Sequence, residues 1–104
     1  MTKKEFFTKK IIPQIEEQIF GYDFQLIRNQ YILERLEKEL DNLEKVPVLR
    51  AGDNIEKILK ERGERKAELE QQIEEVKRNI AYLPLMMEEE EKFLEYFKKL
   101  VEKL

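Results

Sequence analysis

From Ile15 to Leu43 the apolar residues fall at Ile15, Ile19, Tyr22, Leu26, Leu33, Leu36, Leu40 and Leu43, with Asn29 filling the one remaining place. The intervals alternate 4, 3, 4, 3 through the run. That alternation keeps one stripe on one side of an α-helix, and a helix so patterned must bury the stripe against another helix. A second run does the same: Ile55, Leu59, Arg62, Lys66, Leu69, Ile73, Val76, Ile80, Leu83 and Met87. It is apolar at both ends and charged in the middle. Asn29 either fixes the register of the pair or lies where the seam opens toward solvent.

Between the two runs, residues 46–52 (Val-Pro-Val-Leu-Arg-Ala-Gly) break the pattern. The expected fold is therefore all-α: a long antiparallel coiled-coil hairpin, about 45 Å long at 1.5 Å per residue. Thr2 with Glu5 has capping-box spacing, so a short helix is expected from Lys3. Pro13 should end it or kink it and open the next helix. Asp53 with Glu56 repeats the capping-box spacing for the third helix, and Pro84 should kink or restart it. The expected helices are 3–12, 13–45, 54–83 and 85–104, in a single domain over 1–104. The short terminal helices would pack on the hairpin as a small bundle. Acid-before-base pairs four residues apart (Glu34/Lys38, Asp41/Lys45, Glu56/Lys60, Glu61/Arg65, Glu74/Arg78 and Glu95/Lys99) mark the outer faces as wet.

Composition excludes much chemistry. The chain has no Cys and no His, which removes disulfides, thiolate nucleophiles and the Glu-x-x-His metal sites of helical bundles. No Gly-rich phosphate loop or nucleophile–base pairing is present, and helical packing accounts for Tyr22, Tyr31, Tyr82 and Tyr96. A non-enzyme without cofactor or metal is expected, in the cytoplasm. The longest wholly apolar run, Leu83–Met87, is far short of a membrane span. The basic start, Met1 to Lys10, lacks the apolar stretch of a secretory signal. Twenty basic against 23 acidic residues, net −3, give no whole-molecule attraction to nucleic acid or to an anionic membrane.

Four features remain as candidate binding elements. Phe20, Phe24, Ile27 and Tyr31 form a second apolar stripe beside the first seam, to be covered by the N-terminal helix (Phe6, Phe7, Ile11), by the C-terminal helix or by another copy of the chain. Phe93, Phe97, Leu100 and Leu104 offer further apolar surface on the last helix, so a homodimer joined through these stripes is expected. Val48, Leu49 and Arg50 either present a contact at the hairpin tip or fold back over Ile55 and Ile58 as a plug. Lys3, Lys4, Lys9 and Lys10 form a weak anion-contact patch around Phe6 and Phe7. The run Glu88–Glu91 points in four directions around a helix and cannot converge on a cation; it suits the turn after Pro84.

The order of these pieces carries a resemblance. The run Ile19 to Leu43, the loop with Ala51-Gly52-Asp53, the helix Ala67 to Leu83, then Leu83-Pro84, Glu88–Glu91 and residues 93–97 (Phe-Leu-Glu-Tyr-Phe) resemble the helical part of phage late-operon transcriptional regulators of the ArpU/RinA type. In that family such a stretch leads into a sigma-factor-like helix-turn-helix. Here seven residues, Lys98 to Leu104, follow Phe97, which leaves no room for that reader. The resemblance implies a hairpin module that binds protein, as a regulator or inhibitor from a phage or other mobile element. The alternative it leaves open is a nucleic-acid-associated transcriptional regulator without its own helix-turn-helix.

Overall fold

A computed structural model describes every residue from Met1 to Leu104, and the chain is all-helical with no strand. Helix α1 spans Lys3–Phe6, a π-helical turn follows over Phe7–Ile11, α2 spans Ile12–Glu44 and α3 spans Ile55–Glu102. The hydroxyl oxygen of Thr2 accepts the Glu5 N–H at 3.1 Å, which caps α1 as its spacing predicts.

Neither inner proline breaks the chain where a boundary is expected. Pro13 lies in the first turn of α2, and the helical run passes through it from Lys3 to Glu44. A proline ring crowds the carbonyl four residues earlier, here that of Lys9. The π turn over Phe7–Ile11 widens the backbone there, so the strain is absorbed without a break. Pro84 sits inside α3, which continues to Glu102. The missing N–H and the ring cost about 3 kcal/mol in a helix interior. Buried side chains on both sides of it, Leu83 before and Phe97 and Val101 after, hold α3 in one piece.

The link between α2 and α3 is a built turn. The Asp53 N–H donates to the Arg50 carbonyl at 3.1 Å, and an Asp53 carboxylate oxygen accepts the Arg50 N–H at 2.6 Å. Gly52, third of the four residues, has φ +90°, the left-handed value that a type II turn requires there. Asp53 is thereby occupied and is not the helix cap. Asn54 caps α3 instead, its side-chain oxygen accepting the Lys57 N–H at 3.1 Å.

Packing divides the chain into two compact units, Met1–Arg28 with Ile80–Leu104, and Asn29–Asn79. The first unit is built on Ile15, Phe97 and Val101, all buried, with Phe7, Ile11, Ile12, Ile19 and Leu94 packed around them. Phe7 meets Phe97 with ring centroids 5.1 Å apart, so the N-terminal turns and the end of α3 share one core.

In the second unit Leu69 is wholly buried, and Ile73 and Val76 nearly so. Cross-helix hydrogen bonds fix its antiparallel register. The Asn79 amide donates to the Asn29 side-chain oxygen at 3.3 Å, and the Arg65 guanidinium donates to Glu39 at 2.6 and 3.0 Å. These two carboxylate bonds, with Glu68 second, hold the Arg65 pKa above its ordinary value. Arg62, a charged member of the second seam, donates to the backbone carbonyls of Leu43 and Lys45. Those carbonyls lie at the end of α2, where no further turn supplies N–H groups. The charged middle of the seam is a helix cap supplied from across the pair. Its start is less dry than expected, since Ile55 and Leu59 are about half exposed.

Candidate functional site

An α-helix turns 100° per residue, so Phe20, Phe24 and Ile27 point about 135° away from the seam of Ile15, Ile19, Tyr22 and Leu26. They lie opposite the seam rather than beside it. No element of their own unit covers them: Phe20, Phe24 and Ile27 are 71%, 62% and 57% exposed. The termini pack on Ile15 and leave this face open. In the second unit Tyr31 is also exposed, with the Arg35 guanidinium 5.9 Å from its ring centroid.

On α3 the expected stripe divides. Phe93, Leu100 and Leu104 are exposed, but Phe97 is 9% exposed and belongs to the core against Phe7. Phe97 is therefore removed from the candidate interface. Tyrosines read as packing residues take its place: Tyr82, Leu85, Phe93, Tyr96 and Leu100 are all exposed. With Glu89 between Leu85 and Phe93 their spacing is 3, 4, 4, 3, 4, a helical stripe. The signal was present in the sequence but was masked by the stronger run ending at Met87.

At the tip, Val46 and Val48 are about 90% exposed and Leu49 less so. The turn closed by Arg50 and Asp53 follows this segment directly. Lys3, Lys4, Lys9 and Lys10 are exposed, and the Lys3 ammonium lies 5.7 Å from the Phe7 ring centroid. Along Glu88–Glu91 two carboxylates, Glu88 and Glu89, pair with Lys92 at 3.3 and 3.9 Å. No group of three or more acidic side chains is gathered closely enough to hold a metal ion. No helix is long and apolar enough to cross a membrane.

What the geometry offers is apolar surface on regular helices. In the first unit two such faces occur, one on α2 and one on α3. Comparison with protein-family models, with curated proteins and with solved structures finds no match to this chain.

Proposed function

We propose that this chain is a non-enzymatic helical interaction protein that acts by binding a protein partner, as a regulator or inhibitor belonging to a phage or other mobile element. One observation carries the reading: Tyr82, Leu85, Phe93, Tyr96 and Leu100 form a solvent-facing apolar stripe on α3. A stripe of five large side chains at helical spacing is a surface of the size that marks an interface, and aromatic residues supply most of the energy at such surfaces. Helix-in-groove docking reads such a face through anchors three and four residues apart. The origin in a mobile element rests on the sequence resemblance alone.

The test uses tagged chain expressed in the cells that produce it. Leu85→Glu with Tyr96→Glu, both at exposed positions, should abolish capture of a specific protein while far-UV circular dichroism stays unchanged. Nuclease treatment should leave capture by the parent chain intact. Capture that survives the double substitution, or that disappears on nuclease treatment alone, would overturn the proposal. The latter outcome favours the nucleic-acid-associated alternative.

A further inference from the structure

The α2 face carries more information than its apolarity. Phe20, Phe24 and Ile27 repeat at intervals of 4 and 3, the pattern of a two-stranded coiled-coil seam. Its flanks differ in sign. Glu16 and Asp23 lie along one edge, and Arg28 lies along the other. The next position on the basic edge, Arg35, repeats the sign seven residues on. In a parallel in-register pair of helices, the residue just before one seam position faces the residue five places later on the other strand. Asp23 would then meet Arg28 of the opposing helix, and the two-fold axis makes that pair twice. An antiparallel pair centred on the stripe sets Asp23 against Gln30 and Arg28 against Gly21, which leaves both charges unpaired.

We propose that the occupant of the α2 face is a second copy of this chain, docked parallel and in register through Phe20, Phe24 and Ile27 with reciprocal Asp23–Arg28 pairs. The proposal rests on the reading of the chain as an interaction protein and assigns one of its two faces. The area agrees with a modest dimer. Three large side chains this exposed, with their flanks, bury roughly 500 Å² per copy, about 1,000 Å² in all, at the low end of specific interfaces. Glu17, one turn before Phe20 and exposed, occupies the next seam position, where parallel register sets the two carboxylates face to face; their repulsion ends the apolar contact and limits the affinity.

Sedimentation equilibrium of the purified full chain, from micromolar to several hundred micromolar, should show a reversible dimer. Asp23→Arg and Arg28→Asp each turn both cross-pairs into repulsions and should weaken it by about tenfold. An equimolar mixture of the two variants restores complementary charge and should recover parental affinity. Because the chain has no cysteine, Glu17→Cys supplies a single thiol. It should form an intermolecular disulfide under mild oxidation, since parallel register sets the two thiols face to face. Antiparallel register separates them by about 25 Å.

A chain that stays monomeric throughout overturns the proposal. So does a dimer indifferent to both charge substitutions, or one in which Glu17→Cys does not cross-link. None of these outcomes touches the α3 stripe. The wider reading fails separately, if Leu85→Glu with Tyr96→Glu leaves partner capture unchanged.

Discussion

Leu69 is the most enclosed side chain in the molecule, and the half-buried Leu36, Leu40 and Leu43 line the same seam from α2. Removing atoms from a site with no access to water leaves a cavity, whereas a half-exposed site refills with solvent. Leu69→Ala should therefore cost about 2–5 kcal/mol in urea unfolding, and Leu40→Ala clearly less. Equal costs would mean that the two strands of the seam are enclosed alike. The 4, 3 spacing identifies both leucines as seam residues. It is blind to depth, because depth depends on which side chains stand opposite, and the register follows from polar contacts such as Asn29–Asn79 and Glu39–Arg65. Of the outward acid–base pairs read from the sequence, Glu95–Lys99 closes at 3.3 Å, whereas Arg65 turns from Glu61 to Glu39 and Glu68.

At the scale of elements, helix existence and type are legible because hydrophobic periodicity persists over dozens of residues. The ends are less so. Asp53 and Asn54 are adjacent capping residues, and a rule of spacing favours Asp53 because Glu56 lies three places on. The turn from Arg50 claims Asp53 first, and the cap moves to Asn54. Asn54→Ala should cost about 1 kcal/mol through α3 nucleation. Asp53→Ala should instead loosen the turn, exposing the Arg50 amide to rapid hydrogen exchange while the first turn of α3 keeps its protection. Reversed phenotypes would return the cap to Asp53. The prolines mislead for a related reason. Proline forbids one hydrogen bond but does not forbid a helix when packing on both sides repays the loss, as Ile15 does beside Pro13 and Leu83 beside Pro84.

For the whole molecule, the decisive quantity is the near balance of charge, 20 basic against 23 acidic residues. Duplex DNA binding should be weak and should vanish between low and physiological salt, because few phosphates are neutralised. Submicromolar binding at physiological salt in a fluorescence anisotropy titration would contradict this. Lys3, Lys4, Lys9 and Lys10 are the residues to convert to Gln if any binding is seen. The Arg62 contact to Leu43 and Lys45 has a consequence for engineering. The end of α2 is fastened to α3 directly at Arg62, nine residues past the turn at Arg50–Asp53, so the segment between them carries little of the job of holding the pair together. Lengthening a tethered loop adds closure entropy only as the logarithm of its length. Residues 46–49 are thus a permissive insertion point, where a foreign epitope or a fluorophore-bearing peptide can be grafted without unfastening the helices.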